Sequence, residues 1–324
     1  MKHKMRHIIK GNNNSGKYKV IIITFIIICL IVLVGSLIFS QEQVRTKGKE
    51  INDDNHYEEV VTEVEENSED EAEREALEKS QQQIEEINAK VHEILGENER
   101  YYGIYYCDLN TKSQYSLNGD KKFHAASTIK VPIAMMVADK LYNKEIAENT
   151  LIEYTSDDEC DGAGILQGEV SEGDKITVSE LMKDMIEESD NIATAMLKKN
   201  IGNVSDYIGN LTSIKADNEN NFITPKQSYL ILQELYDKSS ENLYYNKIIQ
   251  YMKETSTHDR LDKYIPNNIV AHKIGDYDKY VNDMGIVYTK EPYILVVYTK
   301  DVMEEGRENI AQISKVIYEI KTDN

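Results

Sequence analysis

The chain is poor in cysteine and contains no tryptophan, and the shortage of cysteine excludes two classes of protein. Only three cysteines occur in 324 residues, and one of them, Cys29, lies inside an apolar run. Cys107 and Cys160 alone cannot build a disulfide framework or a cysteine-rich metal cluster. We expect two buried free thiols, with a single Cys107–Cys160 bridge as the alternative.

A Glu-flanked pair of histidines and an excess of positive charge are also lacking. The seven histidines are scattered and none belongs to a Glu-flanked pair, so we predict no metal site and no cofactor. The net charge of -20 argues against nucleic acid as a partner. Much of that charge lies in one acidic segment, so it says little about the surface of a folded domain.

Charge is absent from one long apolar run, residues 20–39, which follows a basic tail without acidic residues at 1–19. Twenty helical residues span about 30 Å, the thickness of a bilayer's hydrocarbon core. Basic residues before the run place the N-terminus in the cytoplasm. We predict an N-terminal transmembrane helix in a single-pass membrane protein whose remaining chain is extracytoplasmic. The alternative, a cleaved signal peptide, lacks a clean small-x-small cleavage site.

The segment after the anchor, residues 40–81, is polar and strongly acidic. Its apolar residues are too sparse for a core, so we interpret it as a solvated, partly helical linker, with a short coiled coil as the alternative. A folded domain is predicted over residues 82–324, and we expect it to be monomeric.

Hydrophobic periodicity in this domain predicts an α+β fold. The predicted strands are residues 101–108, 113–117, 269–274, 283–288 and 293–299, and the predicted helices are 84–95, 127–141, 178–186, 191–199, 226–236 and 304–321. Strands occur at both chain ends and helices between them. This order indicates an antiparallel sheet made from both ends, flanked by helices, with an inserted all-helical subdomain.

We expect a nucleophile and its base where a predicted helix begins with Ser127 and carries Lys130 one turn later. A serine hydroxyl becomes a nucleophile only when a neighbour takes its proton, and a lysine can do so when its amine is kept neutral. Taken alone the pair is weak, because an N-cap serine before a solvated lysine gives the same tetrapeptide.

Two further motifs follow in order, Ser189-Asp190-Asn191 between two helical stretches and Lys273-Ile274-Gly275 at a strand end. Together the three motifs resemble those of class A β-lactamases and penicillin-binding serine hydrolases. The resemblance covers roughly residues 82–324 and includes segments 161–167, 282–283 and 296–299. It implies the β-lactamase/transpeptidase-like fold and an acyl-enzyme mechanism without cofactors.

The resemblance implies three catalytic roles. Ser127 would attack the carbonyl of a β-lactam or related amide, and Lys130 would accept its proton. Ser189 would relay a proton to the leaving nitrogen, since a hydroxyl both donates and accepts. The backbone N–H groups of Ser127 and Asp276 would form the oxyanion hole.

It also implies the substrate-binding residues. Asn191 would hold the substrate's side-chain amide, and Lys273 would face its carboxylate. Gly275 would let the substrate backbone approach the strand closely. Arg260 lies where some members carry a carboxylate-anchoring arginine, with an ordinary surface arginine as the alternative. Ile274 replaces the usual Thr or Ser and removes a hydroxyl contact to that carboxylate.

Simpler structural roles remain open for several of these residues. Ser189 could be the N-cap of the following helix, and Lys273 a solvated lysine on an edge strand. His124 and His272 flank the motifs, but we interpret each as a packed or partly exposed side chain rather than a catalytic base.

The interval from residue 200 to 224 departs from the family pattern. Class A β-lactamases carry a deacylating Glu-x-x-x-Asn there. This shortened interval contains Asp206, Asp217 and Glu219 but no such spacing. An acyl-enzyme would therefore form but hydrolyse slowly.

Three hypotheses follow. The first is a membrane-anchored β-lactamase that opens the β-lactam ring. The second is a penicillin-binding, D,D-peptidase-like acyltransferase acting on D-Ala-D-Ala-type cell-wall peptides. The third is a non-catalytic wall-binding module, against which the complete nucleophile and base motifs argue.

Overall fold

The computed structural model describes residues 58–216 and 221–322, with side chains from residue 74 onward. The chain divides into two compact units, Met1–Asp70 and Glu71–Asn324. The predicted anchor at 20–39 lies outside the described residues. Among the helices that are described, none combines the length and apolar character needed to cross a bilayer.

The described elements are eight α-helices, nine strands and short 3₁₀ turns. The helices are α1 (Glu58–Leu95), α2 (Lys130–Tyr142), α3 (Val178–Glu187), α4 (Asn191–Lys198), α5 (Val204–Thr212), α6 (Pro225–Asp237), α7 (Leu243–Lys253) and α8 (Met303–Thr322). The strands are β1 (Tyr102–Asp108), β2 (Gln114–Leu117), β3 (Phe123–His124), β4 (Leu151–Glu153), β5 (Lys175–Thr177), β6 (Phe222–Ile223), β7 (Val270–Tyr277), β8 (Tyr280–Val287) and β9 (Tyr293–Thr299).

Five of these strands form an antiparallel sheet in the order β2-β1-β9-β8-β7. The first long strand pairs with the last along its whole length, from Tyr102 opposite Thr299 to Asp108 opposite Tyr293. The prediction that the sheet is made from both chain ends is therefore confirmed. β7, which carries the third motif, is an edge strand.

The sheet has a hydrophobic cluster on each face, because successive side chains of a strand point in opposite directions. In β1, Ile104 and Tyr106 belong to a cluster that includes residues of α1 and α8. Tyr105 and Cys107 belong to the other cluster, which contains the inserted helices. The serine motif lies on the second face, where α2 is buried along most of its length.

Local signals explain the helix boundaries that were predicted well. Thr177 and Glu180 form a capping box at the start of α3, and Thr224 and Gln227 do the same for α6, with Pro225 in its first turn. Helices α5 and α7 were missed. In α7 the buried residues Tyr245, Ile248, Ile249 and Met252 follow helical spacing, so the signal was present in the sequence.

Cys107 and Cys160 are both free thiols. The alternative of a bridge is therefore wrong for this structure. Cys107 is buried as expected, whereas Cys160 is only partly buried.

Candidate active site

Ser127 lies in a short 3₁₀ turn, Ala126–Ile129, that leads directly into α2. The helix itself begins at Lys130, three residues later than predicted. Two contacts of Thr128 hold the turn in place. Its hydroxyl donates to the Ala125 carbonyl at 2.7 Å and also lies 2.7 Å from the Tyr298 hydroxyl of β9. The nucleophile candidate is therefore held at the junction of sheet and helix.

Lys130 has the properties expected of a general base. Its Nζ lies 3.1 Å from Ser127 Oγ, 2.7 Å from Asn191 Oδ1 and 2.6 Å from the Ser189 carbonyl oxygen. Only 3 % of the residue is exposed, and burial lowers the pKa of its ammonium to about 8 despite the opposing effect of Asp190. The lowered pKa increases the share of Lys130 that is neutral near pH 7.

Lys273 is the second buried amine of the site. It is fully buried, so the alternative of a solvated edge-strand lysine is wrong. Burial, and then the positive charge of Lys130, lower its pKa to about 7. Its Nζ donates to Ser189 Oγ at 2.9 Å, while Lys130 Nζ lies 3.3 Å from the same oxygen. One hydroxyl thus connects the two amines.

The middle motif places Ser189 between the lysines by an unusual backbone conformation. Ser189 has a φ of 55°, and Asp190, not Ser189, caps α4 by accepting from the Ala193 N–H at 2.8 Å. The N-cap alternative for Ser189 is therefore wrong. Asn191 Nδ2 donates to the Asp161 carbonyl at 2.9 Å, which fixes the amide whose oxygen faces Lys130.

The segment at 161–167 supports this motif from outside. The other oxygen of Asp190, Oδ2, accepts from the N–H groups of Ile165 and Leu166 at 2.7 and 2.8 Å. Gly164 has a φ of 130°, and a Cβ there would lie 2.2 Å from Asp190 Oδ2. This explains physically why the segment accompanies the motif.

Gly275 also has a packing role that was not predicted, while its role toward a substrate stays a prediction. A Cβ at this position would lie 2.8 Å from the Ala125 carbonyl oxygen and 3.0 Å from the Ser127 nitrogen. The serine turn packs directly against the strand at this glycine. This packing brings the Ser127 N–H beside the strand that carries Asp276, the second predicted oxyanion donor.

Arg260 is 1 % exposed, so the alternative of a surface arginine is wrong. Its guanidinium donates to the Asn282 carbonyl at 2.8 Å and to Asp276 Oδ2 at 2.5 Å. Arg307 reaches the other carboxylate oxygen of Asp276 at 3.2 Å, a contact that sequence reasoning missed. The Asp276 carboxylate thus contacts the guanidinium groups of both Arg260 and Arg307. The role of Arg260 as a substrate anchor stays a prediction.

An aromatic wall stands beside the serine turn. The His124 ring stacks on Tyr277 with centroids 4.1 Å apart and also contacts Phe222 and Tyr280. His124 Nδ1 accepts from the Ala126 N–H at 3.1 Å, and burial lowers its pKa. The interpretation of His124 as a packed, partly exposed side chain is confirmed, and the fully buried His272 is likewise packed.

No carboxylate is among the hydrogen-bond partners of Lys130 in the described part of the chain. Asp206 is exposed in the first turn of α5, and Asp217 and Glu219 lie outside the described residues. A cavity of about 310 Å³ opens beside Ile129 of the serine turn. Its described lining contains Lys198, Thr194 and Asn221 but no acid. A deacylating carboxylate is thus not identified among the described residues.

Comparison with known proteins agrees with this geometry. The model of the β-lactamase enzyme family matches residues 86–320. β-Lactamase VEB-1 of Pseudomonas aeruginosa is 25% identical over 273 residues, which cover 74% of this chain and 91% of that protein.

Solved structures share the fold. PBP-A superposes with a TM-score of 0.68 at 20% identity over 74% of this chain and 97% of its own. The extended-spectrum β-lactamase TLA-1 gives 0.67 at 21% identity over 74% and 99%. Because the family model covers most of the chain and the serine, lysine and Ser-Asp-Asn groups meet in one site, the chain belongs to the β-lactamase enzyme family.

Proposed function

We propose that the chain forms an acyl-enzyme on Ser127 with β-lactams or related amides, and releases the opened β-lactam by hydrolysis. The observation that carries this proposal is the 3.1 Å contact between Ser127 Oγ and the Nζ of a buried lysine with a lowered pKa. A nucleophile and base in contact are what acyl transfer needs. A purely binding module needs neither.

The acylation step follows from the contacts of the two lysines. Ser127 Oγ attacks the carbonyl carbon while neutral Lys130 takes the hydroxyl proton. As the carbon–nitrogen bond breaks, the proton passes from Lys130 to the Ser189 hydroxyl, 3.3 Å away, and Ser189 gives its own proton to the leaving nitrogen. The N–H groups of Ser127 and Asp276 stabilise the oxyanion, each by a few kcal/mol.

Substrate binding uses the same cluster. A substrate carboxylate would accept from Lys273 and favour its charged form, because an opposite charge nearby raises an amine's pKa. Arg260 pairs with Asp276, next to the strand residues that carry the third motif, and this pair is neutral overall. Asn191 would donate to the side-chain amide of the substrate in place of its present partner, the Asp161 carbonyl.

The second candidate is a penicillin-binding acyltransferase on D-Ala-D-Ala-type cell-wall peptides. It is favoured by the absence of a carboxylate among the described partners of Lys130, because hydrolysis of the ester needs a positioned water and a base. A variant of PBP-A, which shares this fold at 20% identity, is described as an acyl-enzyme complex with penicillin G.

One experiment separates these candidates. We expect the full chain, mixed with penicillin, to gain the mass of one penicillin on the peptide that contains Ser127, as read by intact-mass and fragment spectrometry. Steady hydrolysis of a chromogenic cephalosporin beyond one equivalent supports the β-lactamase proposal. One equivalent followed by a persistent adduct supports the acyltransferase, and no adduct with any substrate would leave only the binding module.

We also propose that residues 20–39 anchor the protein in the cell membrane, with residues 1–19 in the cytoplasm and the catalytic domain outside. Support comes from the uncharged run and from the basic residues before it. The expected result is an intact N-terminus on protein extracted from the membrane fraction only by detergent. A mature N-terminus after residue 39 would contradict the anchor.

A further inference from the structure

Three metal-type ligands meet on the face of β7 opposite the proposed active site. His272 lies next to Lys273 in the strand, so their side chains point in opposite directions. Lys273 reaches Ser189, whereas His272 faces Asp262 and His258 from the segment that precedes the strand. One ligand atom from each of these three residues lies within 4.8 Å of the other two.

Two atoms of this cluster are buried without a hydrogen-bond partner in the described structure. They are His272 Nε2, in a fully buried ring, and Asp262 Oδ1, in a side chain that is 1 % exposed. Buried polar atoms without an aligned partner are unfavourable, so a ligand that pairs with both would stabilise this cluster. His272 Nε2 lies within ion-pair distance of Asp262 Oδ2 but makes no aligned hydrogen bond to it.

The spacing of these atoms fits one ion. His272 Nε2 lies 3.4 Å from Asp262 Oδ2, and two donors about 2.1 Å from a tetrahedral Zn²⁺ are themselves about 3.4 Å apart. His258 Nδ1 contacts the same carboxylate oxygen. Because the His258 side chain is 44 % exposed, its ring can rotate to admit an ion from solvent.

The hydrogen bonds around His272 are typical of a histidine that binds a metal ion. His272 Nδ1 lies 2.9 Å from Asp283 Oδ2, and a carboxylate on one ring nitrogen orients the ring so that the other nitrogen can serve as a ligand. Asp283 is in turn held by the Leu261 N–H at 3.1 Å. The ligand ring is therefore oriented before any ion arrives.

We propose that His258, Asp262 and His272 bind a divalent transition-metal ion of the Zn²⁺ type, with water completing the coordination. Two imidazoles and one carboxylate suit this class of ion rather than Ca²⁺ or Mg²⁺. The ion would join the 256–266 segment to β7. Since Arg260 lies between two of the ligands and contacts Asp276, the ion would position Arg260 and take no part in the reaction.

The test measures metal content directly. Full-length protein stripped with a chelator is dialysed against Zn²⁺ and its zinc is counted, with Co²⁺ absorption as a second reading of nitrogen and oxygen coordination. We expect the wild type to hold one more zinc per chain than His258→Ala or His258→Gln. Loss of this ligand should weaken Zn²⁺ binding at least about 100-fold.

The matched control is His92→Ala. His92 is also half exposed and paired with a carboxylate, that of Glu99, but has no second imidazole beside it. It should retain the zinc, and zinc should raise the melting temperature of the wild type and of this control but not of the His258 variants. Equal zinc content in the wild type and both His258 variants, with metal-free melting unchanged, would overturn the proposal in favour of a metal-free ring between two carboxylates.

Discussion

Replacement of Ser127 by alanine should reduce acylation by penicillin by about 10⁴-fold or more, to a level undetectable by intact mass. Ser189, the other hydroxyl that contacts Lys130 among the described residues, accepts from Lys273 and is proposed to carry a proton, so we do not expect it to substitute. The fold should survive, since Lys130 keeps its contacts with the Ser189 carbonyl and Asn191 Oδ1.

The control for this variant is Ser116→Ala, an exposed serine on β2. It should label at the wild-type rate, and both variants should show wild-type melting within a few degrees. An adduct of one penicillin on Ser127→Ala would show that the nucleophile lies elsewhere and would remove the basis of the proposed function.

Replacement of Lys130 by methionine should slow acylation by about 10²–10⁴-fold, the usual contribution of a general base. Methionine fills much of the same volume in a site that is almost closed to solvent, so the loss reports the amine rather than the packing. The rate constant is measured at saturating penicillin by stopped-flow or quench with mass detection. Lys183→Met, which removes an exposed lysine paired with Glu187, serves as the control.

The lowered pKa values of the two lysines predict how acylation changes with pH. Neutral Lys130 is the reactive form and its pKa is about 8, so the saturating acylation rate should rise with pH and level off above about 8. Lys273 acts in the opposite direction, because its charge attracts the substrate carboxylate and is lost as pH rises through about 7. The half-saturating penicillin concentration should therefore rise with pH.

In the Lys130→Met variant the rise of the saturating rate with pH should disappear. A retained wild-type profile would assign the base to another group. If the saturating acylation rate falls but still rises with pH as in the wild type, Lys130 has a positioning role only.

Regular elements with strong periodicity were predictable from the sequence. Residues 293–299 are a strand in both prediction and structure, because seven consecutive residues of β9 are buried on one face or the other. Helix α5 was not predicted. The two-residue strands β3 and β6 were not predicted either, because the pairing of Phe123 with Ile223 joins residues far apart in the chain. The predicted domain start near residue 82 stays a prediction, although Ser80 and Gln83 are already buried.

For individual residues, identity was easier to predict than physical role. Gly275 was identified for the approach of a substrate, but its packing against the serine turn was not predicted. Arg260 was identified, but its burial and its pairing with Asp276 were not. The proximity of His258, Asp262 and His272 was not predicted, because His272 follows Asp262 by ten residues, a spacing typical of no metal motif.

The sequence by itself determined the residues that can do chemistry: a serine one turn before a lysine, and two later motifs in the family's order. Only the tertiary structure decided what those groups are. The ammonium groups of Lys130 and Lys273 become more acidic because segments distant in the chain close over them and exclude water, and burial disfavours a charged amine. A pKa depends on every charge and surface brought near the group, so it is a property of the folded chain.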